Sequence, residues 1–113
     1  YVEGWYSVTD FVSTSDEAVT AEFTKKFTDK YGYAPELYAA TYYSATYVLA
    51  DAIERAGSAD PQAVRDALAA TDGLVLPEGS YKCDENGNLL HGCVIAQIRD
   101  KVPTMVEYVD LAA

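Results

Sequence analysis

Apolar and polar positions follow two different periods along the chain, and the change between them divides it into two parts. Up to about residue 70 the apolar positions recur at spacings of three and four, which predicts helices. From Gly73 onward they alternate with polar positions and are rich in β-branched residues, which predicts strands. Residues 1–12 are rich in Tyr, Trp, Val and Thr and predict one earlier strand. A strand, three helices and a run of strands are typical of α/β or α+β folds.

The first helix is predicted by an apolar stripe and by signals at both of its ends. Thr14 and Glu17 have the spacing of a capping box, in which each side chain accepts a hydrogen bond from a backbone N–H. Gly32 can adopt the left-handed conformation that ends a helix, and Pro35 prevents its continuation. These signals enclose a helix of roughly 16 residues. The stripe consists of Val19, Phe23, Phe27 and Tyr31.

The second helix contains the stretch YYSATYVLADAIERAGS, residues 42–58. Its uncharged run from Leu37 to Ala50 is shorter than the roughly 18 residues that a membrane-spanning helix needs. The opposite side is only weakly polar, with Tyr43, Tyr47 and Ala50, so we expect both sides of this helix to be covered. The predicted main apolar face consists of Tyr42, Ala45, Leu49, Ala52, Ile53 and Ala56.

Short signals predict the third helix and the turns of the strand-rich tail. Gly57 ends the second helix, and Asp60 with Pro61 forms the start of a third, short one. Asn86-Gly87 favours a two-residue hairpin turn, which places residue 83 opposite residue 90. A second turn is predicted between Asp100 and Pro103.

Composition narrows the range of functions. The chain has 113 residues, enough for one domain, and 50% of them are hydrophobic and 23% charged, as in globular proteins. The formal net charge is −10, which argues against binding to nucleic acid and to anionic lipid, because both need clustered Lys and Arg. We therefore expect no nucleic-acid partner.

No set of residues predicts catalysis, a metal site or a bound cofactor. The single histidine, His91, is expected in an exposed loop, and no nucleophile motif accompanies it. Neither cysteine has the pair spacing of a zinc site. The stretch Asp84 to Asn88 resembles the start of a calcium loop but has Leu89 and Ile95 where Gly and Glu are needed, so a turn is predicted. We predict a protein that is not an enzyme.

The two cysteines leave two interpretations open. Cys83 and Cys93 in a small acidic chain are compatible with a disulfide formed in an oxidising compartment. With a two-residue turn at Asn86-Gly87, however, Cys93 lies about 10 Å along the strand from the position opposite Cys83. A disulfide then needs a bulge or a wider loop, and the alternative is two separately buried thiols.

Two of the ten tyrosines occupy positions that suit ligand contact. Tyr33 and Tyr38 flank Pro35 in the connection between two helices, where side chains can face a crevice. A tyrosine offers a rigid apolar face with a polar tip. Packing in the core is the alternative for each of them.

Several short motifs follow one another in order along the chain. They are Phe23, Phe27, Tyr31, Gly32 and Pro35, then Tyr43 to Ala45, then Ala56 to Ser58, then Gly79, Asp84 and Gly87, and finally Val94 to Val106. This ordered set resembles the C-terminal part of type I periplasmic solute-binding proteins, the branched-chain amino-acid-binding family of ABC importers. Members read F-x3-Y/F-x3-Y-G-x-x-P, then Tyr-Asp-Ala, then Ala-Gly-Ser, then G-x-x-x-F-D-x-x-G-D. The chain departs from these motifs with Ser44 for the usual Asp, Cys83 for Phe and Asn88 for Asp.

The resemblance implies an α/β fold, namely a C-terminal fragment of a two-lobed Venus flytrap with three helices followed by a β-hairpin-rich tail. It implies that about 1–36 form a strand and helix of the second lobe. About 37–79 form helices of the first lobe, and about 80–113 are strands that return. Such a piece leaves apolar faces uncovered, so an intertwined homodimer is expected.

The resemblance also implies a function. It implies an extracytoplasmic protein, periplasmic or extracellular and lipid-anchored in some members, that closes a cleft around an amino acid or similar small polar solute and delivers it to an ABC permease. The family places an aromatic residue where Tyr38 stands, so Tyr38 is expected at the ligand wall, with Tyr33 and Tyr6 at the rim. Alternatives are a sensor or receptor domain of the same fold and a stand-alone interaction module.

Overall fold

Two small antiparallel sheets and three helices make up the molecule, which is described here from a computed structural model covering residues 2–113. The first sheet has the strand order β1-β5-β6, and the second has the order β2-β3-β4. The three helices lie between the first strand and the remaining five, as predicted. The helices are α1 (Ala18–Tyr31), α2 (Leu37–Ala56) and α3 (Pro61–Ala69), and the strands are β1 (Tyr6–Thr9), β2 (Asp72–Leu76), β3 (Gly79–Cys83), β4 (Leu89–Leu90), β5 (Cys93–Arg99) and β6 (Val102–Val109).

Helix α1 ends as predicted but begins differently. The N–H of Gly32, at φ 79°, donates to the carbonyl of Thr28, which confirms the glycine stop. The predicted capping box is wrong, because the N-cap residue Glu17 makes no side-chain cap bond. The hydroxyl of Thr14 donates instead to the carbonyl of Pro103 (2.8 Å) and accepts from the N–H of Met105 (3.2 Å). The Thr14 hydroxyl, which the sequence pattern assigns to the start of the helix, therefore bonds the backbone of strand β6 instead.

Helix α2 buries a different face from the predicted one. Its buried residues are Ala40, Ser44, Val48 and Ala52, one row at i+4 spacing. Of the predicted face only Ala52 belongs to this row, while Tyr42 is 74% exposed and Leu49 is 48% exposed. The row consists of small side chains and one valine, which allow neighbouring elements to approach the helix closely. The sequence prediction favoured large apolar residues, and small ones decided the packing.

Helix α3 and the two turns of the tail follow the predicted signals more closely. The Asp60 carboxylate accepts from the N–H groups of Gln62 and Ala63, with Pro61 at the first helical position. The turn between β5 and β6 is confirmed, because Asp100 and Lys101 both have positive φ and Arg99 pairs with Val102.

The predicted hairpin register is wrong by one residue. Cys83 pairs with Leu89 instead of residue 90. The reason lies in the loop, where the Asp84 carboxylate accepts from the N–H groups of Asn86 and Asn88 and from the Asn88 side chain. These bonds stabilise a five-residue connection over residues 84–88 in place of a two-residue turn.

The core is divided into three small clusters. One joins α1 to the start of α2, one covers the first sheet, and one lies between α2, α3 and the second sheet. The accessible surface is 7215 Å². A compact monomer of 12.3 kDa is expected to expose about 6,100 Å². The accessible surface of the molecule is therefore larger than that expected for a compact monomer of the same mass. Within residues 2–113, no helix combines the length and apolar character that crossing a bilayer requires.

Candidate functional site

The three tyrosines predicted to contact a ligand are all exposed, and they lie in two different parts of the fold. Tyr38 is the second residue of α2 and is 73% exposed. Tyr33 lies in the connection before it and is 62% exposed, with its ring edge-on to Phe27 at a centroid distance of 5.6 Å. Tyr6 is in β1 and is 63% exposed. The structure places none of these rings in the lining of its two main grooves.

The larger groove, which we call the aromatic groove, lies between α1, α2 and β2 and has a volume of about 600 Å³. The Tyr43 ring stacks between Phe23 and Tyr47 at centroid distances of 4.8 and 4.6 Å. The hydrogen bond with Tyr47 and partial burial raise the pKa of the Tyr43 hydroxyl. Lys26 pairs with Glu22 at its edge. The groove is thus mainly apolar with a charged margin.

The second groove, which we call the strand groove, has a volume of about 490 Å³ and touches the connection that carries Tyr33 and Tyr38. Residues 34–37 form one side of it, and β1 contributes Ser7 and Thr9 to the other. Since side chains alternate along a strand, Tyr6 lies on the opposite face of the first sheet. Tyr33 and Tyr38 thus precede and follow, in sequence, the residues that line this groove, whereas Tyr6 lies on the opposite face of the first sheet.

A buried polar cluster, unmarked by any sequence motif, lies where the two sheets meet. Glu78 is 2% exposed, and its Oε2 accepts a short hydrogen bond from the hydroxyl of Ser44, which is fully buried. Its second oxygen, Oε1, is buried without a hydrogen-bond partner. Burial, followed by the neighbouring Glu78 charge, raises the pKa of the Tyr81 phenol above its usual value. Burying a carboxylate costs free energy unless it is hydrogen-bonded, so the groups that bond Glu78 have to stay in place.

Sequence reasoning missed this cluster because its two halves are far apart in the chain. Ser44 and Glu78 are separated by 34 positions. In the sequence Ser44 stands out only as a departure from the usual Asp, and no motif marks Glu78. The available signal was a single acidic residue directly after the apolar run LVLP, residues 74–77.

The histidine and the cysteines differ from their predicted surroundings. His91 is half-buried, with its ring 4.9 Å from that of Tyr81, so the expected exposed loop position is wrong. Cys83 and Cys93 are both free thiols in the structure. They belong to different sheets, since Cys83 pairs with Leu89 and Cys93 pairs with Val109. The predicted disulfide is absent from this arrangement. Within the described part of the chain, no group of three or more His, Cys, Asp or Glu residues could hold a metal ion.

Comparison with known proteins supplies the context for these features. The sequence model of a family described as "Periplasmic binding protein" matches residues 1–103. The Leu/Ile/Val-binding protein homolog 1 of Brucella abortus (strain 2308) is 38% identical over 73 residues. That match covers 65% of this chain and 19% of the relative.

Solved structures match over nearly the whole chain. The leucine binding protein LivK from Thermotoga maritima MSB8 has a TM-score of 0.82 at 28% identity, covering 97% of this chain and 32% of that one. LivJ from Streptococcus pneumoniae in complex with isoleucine has a TM-score of 0.79 at 22% identity, covering 93% of this chain and 30% of that one. The chain thus spans about a third of the length of these structures and a fifth of the curated relative. The resemblance and the α/β fold predicted from the sequence are confirmed.

Proposed function

The chain belongs to the periplasmic binding protein family, and from this membership we propose that it forms part of the substrate-binding protein of an ABC importer. The proposed ligand is an amino acid or similar small polar solute, held by closure of a cleft. The observation that carries the proposal is the family match over residues 1–103. Relatives that are named for binding leucine, isoleucine or valine favour the amino-acid class.

The proposed division into lobes is supported by the strand pairing. Strand β1 pairs with β5, which follows it by more than 80 residues, as expected when about 1–36 and the last strands share the second lobe. Residues from about 37 to 79 then belong to the first lobe. Since β3 pairs with β2 and β4 pairs with β3, we place the return to the second lobe after Leu90 instead of at about residue 80.

Tyr38 is the residue that we propose for the ligand wall. It lies at the start of α2, where the chain passes from the first core cluster to the second sheet, and its ring is free to face a ligand. Tyr33, across Pro35, is proposed for the rim, and Tyr6 for a more distant contact. We also propose an extracytoplasmic location and an ABC permease as the partner, both on the strength of the family. Attachment through a lipid anchor belongs to the same proposal.

Self-association is a further part of the proposal for residues 2–113 by themselves. Their surface exceeds the expected value by about 1,100 Å², while a standard interface buries about 800 Å² on each partner. Multi-angle light scattering tests this directly. A monomer at all concentrations contradicts it.

The test of the function is ligand binding to the intact protein that contains these residues. Thermal unfolding is followed against the amino acids and small organic acids, and binding is confirmed by calorimetry. At 100 times its Kd, a ligand stabilises the folded state by about 2.7 kcal/mol. Failure of every amino acid and small polar solute to bind would refute the proposal.

Tyr38→Ala then tests the site, with Tyr42→Ala as the matched control. Tyr42 lies one turn further along α2 and is exposed to the same extent, 74% against 73%. We expect Tyr38→Ala to raise Kd by at least tenfold and Tyr42→Ala to leave it unchanged. Equal effects of the two variants would remove Tyr38 from the site without affecting the function itself.

A further inference from the structure

Contacts from three separate elements converge on the turn between β2 and β3 and on the first residue of β3. We call these residues, Pro77, Glu78 and Gly79, the junction turn. The hydroxyl of Thr20 in α1 donates to the carbonyl of Pro77 at 2.7 Å, in a buried position. The hydroxyl of Ser44 in α2 donates to the Glu78 carboxylate. The junction turn itself belongs to the second sheet, so these bonds connect that sheet to both long helices.

The third contact comes from the first sheet. The hydroxyl of Tyr108 in β6 lies 3.5 Å from the carbonyl oxygen of Glu78, which is longer than the roughly 2.5–3.0 Å of an ordinary O–H···O hydrogen bond. Its position is fixed more firmly by shape. A Cβ added to Gly79 would lie 1.9 Å from the Tyr108 hydroxyl, and one added to Gly92 would lie 2.0 Å from it. Two glycines therefore form a notch that only their lack of side chains keeps open.

We propose that the junction turn sets the position of the two sheets relative to each other, with Thr20, Glu78 and Tyr108 as positioning residues for the ligand cleft. This inference rests on the proposed function, because a cleft between lobes has a geometry only where the lobes meet in a defined way. Tyr108 belongs to the sheet of β1, and Glu78 belongs to the other sheet. We therefore expect a change at the contact between Tyr108 and Glu78 to alter the angle between the two sheets more than the structure within either sheet.

The burial of the contacts gives the junction its rigidity. Thr20 and Glu78 are both buried, so a lost partner leaves a polar group without water to replace it. The Tyr108 ring fits between Gly79 and Gly92 only because neither residue has a side chain. If the two sheets move apart, the whole ring has to leave this notch.

The first test is Thr20→Val in the intact protein, with Thr46→Val as its matched control. Valine keeps the shape of threonine and removes the hydroxyl. Thr46 is an exposed threonine whose hydroxyl bonds only the carbonyl of Tyr42 within its own helix. We expect Thr20→Val to raise the Kd for the identified amino-acid ligand by about fivefold to tenfold. Thr46→Val is expected to leave Kd unchanged.

The second test closes the notch. Gly92→Ala is expected to raise Kd by more than tenfold, because its methyl group collides with the Tyr108 ring. Adding Tyr108→Ala to Gly92→Ala removes the collision, and we expect the double variant to equal Tyr108→Ala alone. A full additive effect of both substitutions would show that the two positions act separately and would overturn the notch.

A readout independent of ligand is the distance between the sheets. Spin labels on Arg65→Cys in α3 and Glu107→Cys in β6 occupy exposed positions on the two sides of the junction. Cys83 and Cys93 are replaced by Ser in this background so that only the new cysteines react. Without ligand, pulsed electron paramagnetic resonance is expected to give a reproducible distance distribution for the unsubstituted protein, whose width reports the open and closed arrangements of the cleft. Gly92→Ala is expected to shift or broaden it by several Å.

The two proposals fail differently. A changed distance distribution in a protein that binds no solute supports the junction and refutes the function. Ligand binding with Kd and distance distribution unaffected by Thr20→Val and Gly92→Ala refutes the junction and leaves the function standing. Should Gly92→Ala fail to fold, Thr20→Val and its control decide the question alone.

Discussion

Ser44→Ala perturbs the most enclosed polar contact of the molecule. Ser44 has no exposed surface, and its hydroxyl donates to Oε2 of Glu78. The substitution keeps the backbone and leaves room for the methyl group, so its cost comes from the hydrogen bond alone. After the change Oε2 of Glu78 loses the serine hydroxyl and Oε1 still has no partner, so the carboxylate is left with the neighbouring Tyr81 phenol.

The magnitude follows from the burial of the acceptor. A buried polar group that loses its hydrogen-bond partner costs about 1–3 kcal/mol. We therefore expect Ser44→Ala to lower the free energy of unfolding by about 2–3 kcal/mol. In urea this corresponds to a midpoint lower by about 1 M or more for a chain of this size.

The assay is urea unfolding followed by circular dichroism, with two companion variants. Thr46→Ala, on the exposed side of the same helix, should change the free energy by less than about 0.5 kcal/mol. Ser44→Ala combined with Glu78→Met replaces both partners by apolar groups and should recover most of the loss. The reasoning is refuted when Ser44→Ala is as stable as the unsubstituted protein, or when the double variant is no more stable than Ser44→Ala.

Three further predictions concern single contacts. Asp60→Ala removes the acceptor of two N–H groups at the start of α3 and should cost about 1 kcal/mol in thermal unfolding, while Asp60→Asn should cost less. Because the pKa of Tyr81 is raised in the folded state, the unfolded chain loses this proton first, so stability should fall as pH rises above 10. Tyr81→Phe should weaken that alkaline loss relative to Tyr42→Phe, measured by urea midpoints at pH 9 and 11, values of about one unit either side of the usual phenol pKa. The Asn88 side chain lowers the pKa of Asp84, so amide exchange in residues 86–88 should accelerate, relative to its intrinsic rate, as pH falls below 3.8.

Local signals in the sequence predicted local structure well. The glycine after α1, the Asp60-Pro61 start of α3 and the turn at Asp100 each depend on a few neighbouring residues, and each was found where expected. Thr14 shows the limit of such signals. Its hydroxyl had a suitable partner three residues away, yet it bonds β6, which lies about 90 positions further along the chain. A prediction that uses only neighbouring residues cannot detect a competing partner so far away in the sequence.

The candidate site was less predictable for a related reason. The position of Tyr33 and Tyr38 around Pro35 predicts ligand contact, and both are exposed and adjoin, in sequence, the residues that line the strand groove. The Ser44–Glu78 contact depends on how α2 is rotated about its axis, and that rotation was predicted from residue size. Burial of Ala40, Ser44 and Val48 instead brings a serine into the interior, where it can reach Glu78.

The rotation of α2 also leaves the predicted apolar face on the outside, and this has a testable consequence. Leu49 and Ile53 are 48% and 38% exposed, although large aliphatic residues at this spacing usually mark a buried face. Under the proposed function Leu49 and Ile53 pack against the remainder of the binding protein. Leu49→Gln should then cost the intact protein more than about 2 kcal/mol, while residues 2–113 alone lose less than about 0.5 kcal/mol. Gln62→Ala, exposed on α3, provides the control. Equal and small losses in both contexts would show that the face stays in water and that α2 is covered on one side only.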